Sequence, residues 1–224
     1  MTRRKTALAL GLALSLTACA GVVGPPPAGT IYRLNPGLVE AAEHTAPVSW
    51  QLIVASPLAP QSLDTDRIAL LQGPSVQDYY ANAQWIDRAP AMVQSLLVEA
   101  FETDGTVKAV GREDSGIKAN YILQSEMRDF EAQYDVRDTP PRVVVKLSMR
   151  LVVVPERTVL GTRTITKTVQ AKANTLVAVT DAFSQAAGDA ANEAVSWTLA
   201  TVPALDARIA DAPPEQSRRH RRNR

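Results

Sequence analysis

Apolar and polar side chains alternate along residues 143–153. Val143, Val145, Leu147, Met149, Leu151 and Val153 fall on one side, and Lys146, Ser148 and Arg150 on the other. Successive side chains of a strand point to opposite faces, so this pattern predicts a half-buried strand. The same period of two sets Trp50, Leu52 and Val54 against Ile53 within residues 50–55. It also places Tyr121, Leu123 and Met127 on one face of a long strand over 121–134. Residues 159–171 are rich in threonine and other β-branched residues, which suit a third long strand. Shorter strands are predicted at 31–34, where Tyr32 and Leu34 alternate with Arg33 and Asn35, and at 67–71, 76–81 and 107–110.

Over 88–103 the period changes. Met92, Leu96 and Ala100, with Val93, Leu97 and Phe101, form a broad stripe at helical spacing. Pro90 suits the first turn of that helix, and Asp104-Gly105 ends it. A second helix is predicted with Thr180 as N-cap and Asp181 in its first turn. Its buried stripe is Phe183, Ala187, Ala190, Ala194 and Trp197, and Pro203 lies just past its end. Small residues on that stripe allow a close approach to a sheet. Breaks at Ser56-Pro57, Gly73-Pro74, Asp138-Thr139-Pro140-Pro141 and Pro155-Glu156-Arg157 separate the elements. The pattern predicts one α+β domain over 31–203, with a largely antiparallel sheet and two long helices packed on one face. No internal repeat interrupts it.

The N-terminus has a different design. Arg3, Arg4 and Lys5 precede a short Ala/Leu stretch, and Leu16-Thr17-Ala18-Cys19 closes it. This order is that of a secretory signal. Its apolar run is shorter than the ~20 residues needed to span a bilayer. The tetrapeptide resembles the bacterial lipobox, formed here by Leu16, Thr17, Ala18 and Cys19. The resemblance implies cleavage after residue 18 and lipid on Cys19. Cys19 is the single cysteine, so it has no disulfide partner within the chain. Each buried acyl methylene contributes about 0.8 kcal/mol, and several chains anchor far better than one. Ala20 stands where an aspartate would favour inner-membrane retention, so the lipobox resemblance points to the outer membrane. Residues 19–30 then form a Pro/Gly-rich tether.

Charge is distributed unevenly. Residues 19–217 hold 16 basic and 23 acidic side chains, a net −7, whereas 218–224 contain five arginines. A basic tail, 204–224, follows an acidic body and has no core pattern. A nucleic-acid-binding domain would carry its positive charge on the fold, so no nucleic-acid partner is expected. His44 and His220 are the only histidines. With Cys19 committed to lipid, no His/Cys metal cluster is expected. The chain has no nucleophile elbow, P-loop or dinucleotide fingerprint, and no carboxylate spacing marks an acid–base pair. The reading is of a protein that is not an enzyme and takes no cofactor.

One stretch is more specific. Leu63-Asp64-Thr65-Asp66-Arg67-Ile68-Ala69-Leu70 is followed by Tyr79-Tyr80-Ala81-Asn82-Ala83-Gln84-Trp85 and then Pro90. Together with the lipobox, Tyr32-Arg33-Leu34 and the Ala-rich last helix with its late Trp197, this resembles the ABC-type transport auxiliary lipoprotein family. Ile86 departs from the small residue more usual after the tryptophan. The resemblance covers residues 31–200. It implies a non-catalytic subunit working beside a permease and a substrate-binding protein with an MCE domain, moving lipid between two membranes, with a homo-oligomer as one arrangement. Two alternatives stand beside it: a free-standing lipid-binding lipoprotein, and a structural envelope lipoprotein whose arginine tail meets an anionic surface. From the residues alone, Asp64 and Arg67 are expected to pair across a turn. Trp85 is expected in the core, and Tyr79 and Tyr80 are equally fit to be corner residues or to face a partner.

Overall fold

The computed structural model describes residues 29–41, 47–136 and 138–202. The signal segment, Leu16, Thr17, Ala18, Cys19, both histidines, Pro203 and the arginine tail lie outside them. The described strands are β1 (Thr30–Tyr32), β2 (Val48–Val54), β3 (Arg67–Gln72), β4 (Val76–Trp85), β5 (Val107–Gly111), β6 (Tyr121–Tyr134), β7 (Arg142–Val153) and β8 (Val159–Gln170). The helices are α1 (Ala89–Asp104) and α2 (Leu176–Thr201). β1 begins one residue earlier than the alternation of Tyr32 and Leu34 suggests, and stops before Leu34.

All eight strands join one sheet built around β6. One edge of β6 is shared between two parallel neighbours. Tyr121, Ile122 and Leu123 pair with β2. Ala132, Gln133 and Tyr134 pair with β3. Leu58 bridges to Glu126 in the gap between them. β5 continues outward from β2, and β4 then β1 continue outward from β3. The other edge of β6 carries β7 and then β8, both antiparallel. Among the described residues β8 pairs only with β7, and its outer edge carries no strand.

The expected largely antiparallel sheet is corrected here. β1–β4, β2–β5, β2–β6 and β3–β6 are parallel, so the sheet is mixed and most of its pairings are parallel. Alternation tells which side chains are buried but not which way the neighbouring strand runs. The β6–β7–β8 meander is antiparallel as read.

Both helices lie on one face. α2 packs on β7 and β8, α1 on β5 and β2, and the two helices touch each other. The predicted stripe of α1 is buried: Met92, Val93, Leu96, Leu97, Ala100 and Phe101. Gly105 then takes φ 72°, and its N–H closes the helix onto Phe101 O at 3.1 Å. Only glycine adopts that left-handed position without strain. On α2, Ala187, Ala190 and Ala194 are buried as expected, around a fully buried Phe183. The Phe183 ring meets Trp85 at 5.1 Å and Phe130 at 5.0 Å. The helix start differs from expectation. Thr175 is the N-cap, and its hydroxyl accepts from Ala178 N. Thr180 lies inside the helix, buried, with its hydroxyl donating to Val177 O at 3.0 Å. Leu176 and Val179 extend the buried stripe backwards by one turn, and packing against the core rewards that extra turn, while Val177 between them is exposed.

Candidate partner-binding face

The 63–70 and 79–85 motifs meet in space. Thr65 bends the chain ahead of β3, its hydroxyl accepting from Arg67 N at 3.2 Å. The carbonyls on either side of this bend are used at once. Trp85 N donates to Asp66 O at 2.6 Å, and Ala89 N donates to Thr65 O at 3.0 Å. The bend thereby fixes both the end of β4 and the start of α1.

Asp64 and Arg67 do not pair. Asp64 is taken by Arg88, just ahead of α1, through Nη2–Oδ2 at 2.6 Å and Nε–Oδ1 at 2.9 Å. Arg88 also donates to Asp64 O at 2.8 Å. Its guanidinium is held further toward the charged form by Asp64, chiefly through the hydrogen bond to the carboxylate. Arg67, past the bend, enters the strand register opposite Gln84. Its guanidinium lies 3.7 Å from the centre of the Tyr79 ring, a cation–π contact. Two residues of separation at the start of β3 thus send these side chains to different elements.

β4 is irregular between the paired positions. Arg67 pairs with Gln84 and Ala69 with Tyr79, so residues 80–83 of β4 bulge against a single residue of β3. Asn82 takes φ 54° within this bulge. Asparagine tolerates that region better than most residues. A bulge re-aims the side chains that follow it. Here Ala83 and Trp85 turn into the core while Gln84 is exposed.

Tyr79 and Tyr80 are half-buried. The Tyr79 hydroxyl donates to Ser62 O at 3.0 Å. The Tyr80 and Tyr134 hydroxyls lie 2.8 Å apart, and Tyr134 donates onward to Asn174 Oδ1 at 2.8 Å. Because Tyr134 gives its proton to Asn174, Tyr80 is the donor to Tyr134. Burial and this bond push the Tyr80 phenol above the ordinary tyrosine value. Both rings therefore serve the fold at one end and reach solvent at the other. β1 covers only Ala83, Gln84 and Trp85 of the outer edge of β4. Among the described residues, the edge beside Tyr79 and Tyr80 is unpaired. Arg88, Tyr134 and Asn174 carry no signature in the sequence that links them to the motif; the topology alone brings them in.

Among the described residues no His/Cys/Asp/Glu cluster is fit to hold a metal, and no helix is long and apolar enough to cross a membrane. A sequence profile described as the ABC-type transport auxiliary lipoprotein component matches residues 32–195. The chain belongs to this family. Auxiliary-lipoprotein membership covers all described elements except β1's first residues and the last turns of α2. It implies a lipid-anchored location in the cell envelope and an accessory, non-catalytic part in transport. The crystal structure of the protein XCC0632 from Xanthomonas campestris is similar to this auxiliary lipoprotein at 31% identity and TM-score 0.74, covering 80% of this chain and 99% of that one. An uncharacterized protein of known structure shares the fold at 11% identity and TM-score 0.61, covering 76% of this chain and 98% of that one. A search of curated proteins finds no match.

Proposed function

We propose that the protein is a non-catalytic subunit of an ABC/MCE-type intermembrane lipid transport system, held by lipid on Cys19 at the periplasmic face of the outer membrane. Its part is that of the family's intermembrane transport lipoprotein from the paraquat-inducible operon. It docks the far end of an MCE-domain protein whose permease sits in the other membrane. The observation that carries this reading is the family match over 32–195, which spans both motifs and the fold that joins them. Tyr79 and Tyr80 are the proposed contact. Their rings flank a stretch of β4 edge that no strand covers among the described residues, with the Tyr79 N–H held by Asp78 Oδ1 at 2.8 Å, and an uncovered edge is where a sheet accepts a partner strand. A homo-oligomer that matches an MCE ring is part of the proposal, and the outer edge of β8, which carries no strand among the described residues, supports it.

The test is co-purification. The full chain, extracted in mild detergent with an internal tag, is expected to bring down an MCE-domain protein and its permease. Tyr79→Ala, at a half-buried position beside the core, is expected to weaken that recovery while the variant's circular dichroism stays that of the folded chain. Recovery of lipid alone from the folded domain would replace docking with a free-standing lipid carrier. Envelope fractionation that depends on residues 218–224, with no MCE protein recovered, would favour a structural envelope lipoprotein.

A further inference from the structure

The chain enters the described fold at Gly29 and leaves it at Val202, and the strand directions assign these points to opposite ends. β1 is parallel to β4, with Thr30 opposite Ala83. β4 itself starts at Val76, beside the β3–β4 turn. The backbone at Gly29, packed against Asn82, therefore points back toward that turn. Val202 follows the far end of α2, whose last turn lies over Gly161 near the start of β8. With 26 residues, α2 separates the two ends by on the order of 39 Å.

The end at which Gly29 points is built from three pieces. Gln72 of β3 pairs with Tyr134, and Gly73 N donates to Tyr134 O at 3.1 Å. Tyr134 Oη donates to Asn174, just before α2. The β3–β4 turn, the β6–β7 loop and the start of α2 are so joined into one surface. Each carries an exposed valine: Val76 at 57%, Val136 at 62% and Val177 at 63%. A shallow cleft of about 310 Å³ lies among them, lined by Leu70, Gln72, Gly73, Tyr134, Asn174 and the carboxylates Asp135 and Asp138. Residues 72–78, 134–142 and 172–177 contain three acidic and three basic residues in all. A tip that combines three exposed valines with balanced charges of both signs suits a zwitterionic surface, not an anionic one.

The length of chain ahead of Gly29 selects the surface. Ten residues, 19–28, join Cys19 to the fold. Fully extended they reach at most on the order of 33 Å. Val76 pairs with Gln72, and the bulged residues 80–83 lie opposite the single residue Ile68, so Asn82 stands about four β3 positions, on the order of 13 Å, from the Val76 end. The tether uses on the order of 13 Å of that reach in passing the valine tip, so lipid on Cys19 keeps the tip within about 20 Å of the bilayer.

We infer that this end is the membrane-facing end of the domain, with Val76, Val136 and Val177 resting on the zwitterionic headgroup surface of the bilayer that holds Cys19. The inference rests on the lipid-anchor reading above. Three valines do not bind a bilayer unaided. They orient a domain that the lipid already holds, and they leave the Val202 end facing away.

The experiment uses the full acylated chain in vesicles of phosphatidylcholine and phosphatidylethanolamine. Val136→Cys, Val177→Cys and, at the opposite end, Val159→Cys each place one free thiol on an exposed position for a fluorescent label, since the thiol of Cys19 is acylated. Acrylamide quenching of the labels at 136 and 177 is expected to fall on reconstitution, while quenching at 159 stays as in the delipidated chain. Equal quenching of all three labels, or loss at 159 alone, with lipid on Cys19 verified by mass, overturns the orientation and leaves the anchor intact. Cys19 without lipid, in a chain recovered in the soluble fraction, overturns anchor and orientation together.

Discussion

The phenolic oxygen of Tyr80 lies 2.8 Å from that of Tyr134, joining the bulged β4 to the far end of β6. Tyr134 passes its own proton to Asn174, so three elements are closed by two hydroxyls. Burial is the main reason the Tyr80 phenol resists ionisation, with the bond to Tyr134 adding to it.

That resistance sets an alkaline signature. The unfolded chain releases the Tyr80 proton near pH 10, whereas the folded chain holds it to higher pH. The folded state therefore binds more protons above pH 10, and this contribution to stability, full below that value, is lost progressively above it as pH rises toward and through the higher folded-state value. Tyr80→Phe removes the effect. Denaturation curves between pH 9 and 11 are expected to fall less steeply for the variant than for the natural chain. At pH 7 the same variant is expected to be less stable by about 0.5–1.5 kcal/mol, the net worth of one hydrogen bond.

Glu193 of α2 gives the opposite signature. Its carboxylate accepts from Lys167 at 2.9 Å and from Arg163 at 2.7 Å, and these bonds, Lys167 foremost, hold its pKa below the usual glutamate value. The stabilisation is present above the unfolded pKa and is lost as pH falls through the folded one. Glu193→Gln is expected to melt slightly earlier at pH 7, with the gap closing as acid is added. A gap unchanged down to pH 3 would show that the pairs contribute nothing.

Thr175, not Thr180, caps α2. The bond to Ala178 N is long at 3.4 Å, so Thr175→Ala is expected to cost about 0.5–1 kcal/mol, at the lower end for a cap. Urea unfolding of Thr175→Ala, compared with Thr175→Asp, tests whether the cap itself is responsible, since aspartate caps as well.

Trp85 fills the centre of the core at 1% exposure, and among the described residues its indole N–H meets no acceptor. Trp85→Ala is expected to lose about 3–5 kcal/mol, as large truncations in packed cores do. Trp85→Phe forfeits no hydrogen bond and is expected to lose much less. Equal losses in chemical denaturation would mean that the N–H does find a partner.

What the chain reveals of itself depends on the kind of information involved. β6 and β7 could be read almost to the residue, because one face of each packs on the core and alternation runs through most of their length, broken in β6 by a bulge between Met127 and Asp129 that the pattern does not show. α1 was equally legible through its stripe, its proline and Gly105. Strand direction was not, since Ile122 and Ile53 give no hint that their strands run side by side and parallel. The candidate face was half legible. The residues of the 63–70 and 79–85 motifs were visible as a group, but their partners were not. Arg88 was hidden inside a helix reading, and Tyr134 looked like the last residue of a strand. The pairing of Asp64 with Arg88 instead of Arg67 follows from a bend at Thr65 that local spacing cannot anticipate.

Among the described residues the twelve-residue β8 carries no strand on its outer edge, and its two faces are unlike. Thr162, Thr164, Thr166 and Thr168 are exposed on one, while Ile165 is buried on the other. A strand laid along this edge would have to repeat that alternation, because a slip of one residue exchanges the faces of the newcomer. The edge thus filters by phase: it admits a second strand at every other register and rejects those in between.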